Sequence, residues 1–63
     1  MRMNEVVRIL MQRDGMSENE AWDTFMDVRD ELLDNVDSLN ACEEILRIEL
    51  GLEPDYLMDF LSF

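Results

Sequence analysis

The chain has no lysine and no histidine, and its 63 residues include one cysteine, one proline and two glycines. Each absence closes a class of function. Without histidine or lysine, the commonest general base, the Schiff-base nucleophile and the phosphate-cradling ammonium are all missing, and two glycines cannot build a glycine-rich phosphate loop. The single thiol, Cys42, excludes an intrachain disulfide framework and any multi-thiolate zinc site, and makes a reducing interior the default expectation. No apolar run reaches the roughly 18 residues needed to span a bilayer, and no basic-then-apolar leader opens the chain. A soluble, cytoplasmic protein with no membrane partner is expected. Cations are scarce against the acids: five arginines stand against sixteen aspartates and glutamates, for a formal charge of −11. Such a chain is repelled by a bare phosphate surface, so direct contact with nucleic acid or an anionic membrane is disfavoured.

What is present points to a folded helical domain. Apolar residues make up 48% of the sequence, too many for an acidic disordered tail. At this length a single domain, residues 1–63, buries only about 60% of its unfolded surface, so the core is small. Three breaks divide the chain. Gly15 can end one helix in the left-handed conformation and Ser17 can cap the next, with Ser17-x-x-Glu20 as a capping box and Met16 and Ala21 placed for a hydrophobic staple. Asp37-Ser38 forms the second break, with Asn40-x-x-Glu43 a competing start. Gly51-Leu52-Glu53-Pro54 is the third, placing glycine past one helix and proline in the first turn of another. The reading is all-α, a compact bundle of three to four short helices, roughly 3–13, 18–35, 39–50 and 54–61. No segment alternates with the period of a strand.

At about 100° per residue the second helix separates cleanly. Ala21, Phe25, Val28, Leu32 and Val36 share one arc, widened by Trp22, Met26 and Leu33, as expected of a core-facing stripe. Glu20, Asp23, Asp27, Asp30 and Asp34 fall opposite, within about 80° of one another. The first helix offers Met3, Val6, Val7 and Leu10 to the core and carries Arg2, Arg8 and Arg13 on its polar side. The third has the broadest apolar arc, Leu39, Ala41, Cys42, Ile45, Leu46, Ile48, Leu50 and Leu52, and is expected to be central. The fourth contributes Leu57, Phe60 and Leu61, with Tyr56 and Met58 at the margins. Cys42 reads as a small, inert core residue.

Two charges interrupt the apolar arcs, Arg29 on the second helix and Glu49 on the third. A buried charge persists only when paired, so a structural ion pair between Arg29 and Glu49 is expected across these helices. The acidic row is the other anomaly. A solvated stabilising face mixes cations at i+4 to its acids, and like charges at that spacing cost a few tenths of a kcal/mol each. Here the centre of the row has none. Five charges over about 21 Å give one per ~5 Å, against one per ~1.7 Å of duplex DNA, so the row alone is a sparse imitation of a nucleic acid. Glu43, Glu44, Asp55 and Asp59, with Asp37, could supply a second row if they share its surface. An uncommitted solvated face is an equal alternative.

Asp30, Glu31, Asp34 and Asp37 are the densest carboxylate cluster, but they lie along a helix without the loop geometry of an EF-hand, and no metal site is expected. Paired carboxylates can hydrolyse glycosides, yet four short helices leave little room for a cleft, so neither catalysis nor a cofactor is expected. Six methionines, Trp22, Tyr56 and the closing Phe60-Leu61-Ser62-Phe63 leave enough adaptable apolar surface for a homodimer or a partner contact.

The strings Arg13-Asp14-Gly15-Met16-Ser17 with Glu20-Ala21, Arg29-Asp30-Glu31-Leu32 and Glu49-Leu50-Gly51-Leu52-Glu53-Pro54-Asp55-Tyr56-Leu57 resemble short acidic helical proteins encoded by phages and mobile elements. The resemblance runs over nearly the whole chain. It implies a viral accessory protein, active in the host cytoplasm, and small acidic members of that class resemble anti-CRISPR proteins and other inhibitors of host defence that imitate nucleic acid. No functional residue carries across, because such inhibitors share a strategy and not a motif. The leading expectation is an inhibitor whose acidic face, Glu20, Asp23, Asp27, Asp30 and Asp34, occupies the basic groove of a nucleic-acid-binding host protein, with apolar anchors such as Tyr56 or Phe63. The alternative is a small helical dimerisation or adaptor module whose acids only keep it in solution.

Overall fold

In the computed structural model, which describes residues 4–61, each of the three breaks ends one helix and starts another. The order is α1 (Glu5–Asp14), α2 (Glu18–Asp34), α3 (Leu39–Ile45), a π turn (Leu46–Leu50), a 3₁₀ turn (Pro54–Tyr56) and α4 (Leu57–Leu61). Three polar side chains begin the longer helices by accepting otherwise unpartnered amide protons. Asn4 takes those of Val6 (2.9 Å) and Val7 (3.3 Å), Ser17 that of Glu20 (3.2 Å), and Ser38 that of Ala41 (3.3 Å). Ser38 therefore wins over Asn40 as the start of α3. Asn4 sets the start of α1 later than residue 3; Met3 and Arg2 lie outside the described residues.

The two glycines perform the same operation at the other ends. Gly15 (φ 69°) and Gly51 (φ 63°) are the positive-φ residues of the described chain, and the amide following each bonds six residues back, Met16 to Leu10 (3.3 Å) and Leu52 to Leu46 (3.1 Å). This is the Schellman arrangement, which satisfies trailing carbonyls and folds the next apolar residue back over the helix end. Leu52 is buried and Met16 half-buried against the core, the Met16 sulfur accepting from the Thr24 hydroxyl at 3.8 Å.

The central helix is α2, not the third helix. It packs against α1, α3 and α4, and Ala21, Phe25, Val28 and Leu32 are all buried along one stripe. Phe25 stacks on Phe60 of α4 with ring centroids 4.6 Å apart and planes 13° from parallel, while Trp22 meets Phe25 edge-on at 5.5 Å. Such pairs add roughly 0.5–1.5 kcal/mol beyond area burial. Val36 lies past the end of α2 and is 55% exposed, so it leaves the core stripe that helical spacing assigned to it.

The third helix departs from the expected single run over 39–50. At Leu46 it widens to i→i+5 winding, which takes fewer degrees per residue. Residues beyond 46 therefore lag behind their α-helical positions. Leu50 falls back into line with Cys42 and Leu46, all buried, while Ile48 is carried outward to 68% exposure and Glu49 is exposed as well. A broad sequence arc becomes a narrow buried stripe.

Two arginines tie helix ends to other parts of the fold. Arg13, in the last turn of α1, donates to the carbonyls of Leu50 and Gly51 (the latter at 3.5 Å), closing the C-terminal end of the π turn, and is held flat by Asp14 at 2.9 and 3.1 Å. Arg29 donates its Nε–H to the carbonyl of Phe60 at 3.3 Å. Every fully buried side chain among the described residues is apolar.

The Phe25–Phe60 stack is the joint on which α4 hangs. At ~0.05–0.15 kcal/mol per residue a domain of this size has only about 3–9 kcal/mol in hand. Replacing a buried phenylalanine by alanine costs about 3–5 kcal/mol. Phe60→Ala should therefore remove most of the stability in a urea titration followed by circular dichroism; an unshifted midpoint would mean that α4 is dispensable to the fold.

Candidate functional site

The acidic row of α2 arises because the apolar residues that fix the helix's orientation leave one face outward, and that face is almost wholly acidic. Glu20, Asp23, Asp27, Asp30 and Asp34 are all exposed. Neighbours along the row sit three or four residues apart, ~4.5–6 Å along the axis, inside the Debye length of ~8 Å at physiological salt, so they act as one field. Their four adjacent pairings cost roughly 1–2 kcal/mol together. The helix dipole helps at one end, where Glu18 and Glu20 occupy the first turn, and opposes at the other, where no basic residue occupies the last.

The chain's own cations do not relieve this. Arg8 pairs with Glu5, Arg13 with Asp14 and Arg47 with Glu44 at 3.6 Å, and Arg29 is spent on the Phe60 carbonyl. These are the four arginines of the described residues, and none forms an ion pair with the row. The local pairs act only on their own members: the Arg8 and Arg13 guanidiniums hold the Glu5 and Asp14 carboxyls below the usual carboxylate range.

The expected Arg29–Glu49 ion pair does not form. Arg29 is half-buried and turns its guanidinium to the end of α4, where a carbonyl satisfies it. Glu49 rides outward on the π turn, and its pKa is raised, first by hydrogen bonding with the Glu31 carboxyl of α2, then by partial desolvation and the Glu31 negative charge. A carboxyl pair stands where a salt bridge was expected.

The other candidate acids sit on elements other than α2. Glu43 and Glu44 border a groove with Glu53 on the side of α3 and the following loop. Asp55 belongs to the 3₁₀ turn and Asp59 to α4, whose Phe60 carbonyl accepts from Arg29 of α2. The acids that sequence reasoning missed beside the row are Glu31 and Glu49, because only the π winding brings them together. Asp30, Glu31, Asp34 and Asp37 are exposed at the end of α2, and among the described residues no three acidic or thiol side chains are grouped to hold a metal ion. Of the two proposed anchors, Tyr56 is half-buried against the core and Phe63 lies outside the described residues. No helix among those residues is long and apolar enough to cross a membrane.

Compared with known protein families, with characterised proteins and with solved structures, the chain matches none. Fold and surface define a class in physical terms: a small all-α bundle with an acidic face that none of the described arginines pairs with.

The Glu31–Glu49 contact has a pH signature of definite sign. Because the folded-state pKa of Glu49 lies above its ordinary value, the folded chain holds that proton more tightly than the unfolded one. The contribution is present below the ordinary glutamate range and is lost as pH rises through the raised pKa. Glu49→Gln should flatten that limb of a melting-temperature profile and raise the melting point at neutral pH; an unchanged profile would mean that the two carboxyls do not interact in solution.

Proposed function

We propose that the protein is a phage-type inhibitor of a host defence system, anti-CRISPR-like in strategy, which binds a basic nucleic-acid-binding protein through its acidic face and blocks the groove by occupancy. The observation that carries this reading is the exposure of the whole α2 row with none of the described arginines paired to it. A chain that accepts about 1–2 kcal/mol of self-repulsion on a small core gains it back when a cationic surface arrives. Complementary charge accelerates encounter and makes the complex sensitive to salt, while apolar contacts at the margin slow release. The target is a protein, because nucleic acid itself is repelled.

Replacing Asp23, Asp27 and Asp30 together by Asn tests the reading. The variant should fold with unchanged or higher stability, by up to about 1 kcal/mol as three neighbouring repulsions vanish. Capture of nucleic-acid-handling proteins from a host lysate should fall at least about tenfold, the equivalent of roughly 1.4 kcal/mol. Retention undiminished by the triple change, or undisplaced by competing DNA, would exclude the proposal.

A second reading rests on a different observation. Leu33, Val36, Leu39, Ile48 and Met58 are 43–68% exposed, more large apolar surface than a fold of this size needs to display. A homodimer or adaptor built on these side chains would persist at high salt, whereas a charge-led complex dissociates. Sedimentation of the isolated chain at low and at high salt separates them: a monomer under both conditions removes the dimer.

A further inference from the structure

The groove beside α3 is a distinct feature from the α2 row. It has a volume of about 770 Å³, within the ~300–1,000 Å³ of ligand-binding clefts. Glu43 and Glu44 of α3, Arg47 of the π turn, Leu52 and Glu53 of the following loop and Pro54 of the 3₁₀ turn line it. Three carboxylates and a single guanidinium belong to its lining. That guanidinium is weakly engaged: Arg47 reaches Glu44 at 3.6 Å, with both side chains about two-thirds exposed, and ion pairs of this kind contribute close to nothing. Asn40 and Gly51 complete the lining. The loop that forms one side is fixed, because Gly51 is a helix cap and its carbonyl is held by Arg13.

We propose that this groove receives an arginine side chain from a basic segment of the protein partner. The proposal deepens the charge-led reading above by naming a second contact and the residue type that makes it. Charge complementarity selects a cation. Arginine is selected over lysine because its guanidinium is planar, weakly hydrated and able to bond two carboxylates at once while its stem lies along proline and leucine. The incoming group replaces Arg47 as the partner of Glu44 and adds Glu43 and Glu53, and Arg47 swings into solvent at little cost. The α2 row then supplies the long-range attraction and the groove the local recognition.

The test needs no host protein. The peptide amide Ac-Gly-Arg-Gly-NH₂ is titrated into the full-length chain labelled with nitrogen-15. Amide signals of residues 43, 44, 47 and 51–53 should move along one saturable curve, at peptide concentrations that leave residues 20–34 in place. The lysine counterpart should bind at least about threefold more weakly. Glu53→Gln should weaken the arginine peptide about threefold and Glu43→Gln with Glu53→Gln about tenfold, the spectrum itself reporting that the fold is retained. Unsaturable shifts scattered over all the acids, equal binding of the two peptides, or indifference to both variants would overturn the proposal. Because Asp23→Asn, Asp27→Asn and Asp30→Asn leave the groove intact, their triple variant should bind the peptide normally while losing the partner; failure of the groove and failure of the inhibitor reading are thereby distinguishable.

Discussion

The structure rests on one opposition: a small apolar core, organised on the buried stripe of α2, works against a charge imbalance that the chain has almost nothing to neutralise with. Ala21, Phe25, Val28 and Leu32 hold α2 in place, and α1, α3 and α4 assemble around them. The same orientation that seats Phe25 against Phe60 turns five carboxylates to the outside. Core and acidic face are two consequences of a single helical register, so neither can be shifted without the other.

With so few cations, where each arginine goes is informative. Two of the four described ones address backbone carbonyls at helix ends, Arg13 at the π turn and Arg29 at α4, and the other two make exposed local pairs. Guanidinium groups near C-terminal carbonyls complement the helix dipole and satisfy acceptors that would otherwise lack partners. Short helices have proportionately more such ends. The fold therefore draws positive charge toward its ends and leaves the middle of α2 bare.

Much of this architecture is readable in the residues themselves, and the reason is local chemistry. Gly15, Ser17, Ser38, Gly51 and Pro54 mark boundaries because each satisfies or withholds a specific backbone hydrogen bond within a few residues. The acidic row is readable because a seventeen-residue helix keeps its period. What escapes is whatever depends on a change of winding. Nothing in Leu46-Arg47-Ile48-Glu49-Leu50 announces a π turn, since the same string fits an α-helix. Once winding is assumed regular, Glu49 falls inward, Arg29 becomes its only sensible partner, and the third helix looks central. One unforeseen turn accounts for all three errors, and also hides the meeting of Glu49 with Glu31. The groove escaped for a related reason: Glu53 joins Glu43 and Glu44 in lining it only after the chain has turned at Gly51.

Cys42 carries an implication of its own. Its sulfur is buried and its S–H points at the carbonyls of Asn35 (3.2 Å) and Leu32 (3.6 Å), so a side chain of α3 finishes the trailing end of α2. An alkylating reagent can reach that sulfur only after the two helices have parted. The native molecule thus contains a chemical clock, whose rate of modification counts how often this seam comes undone.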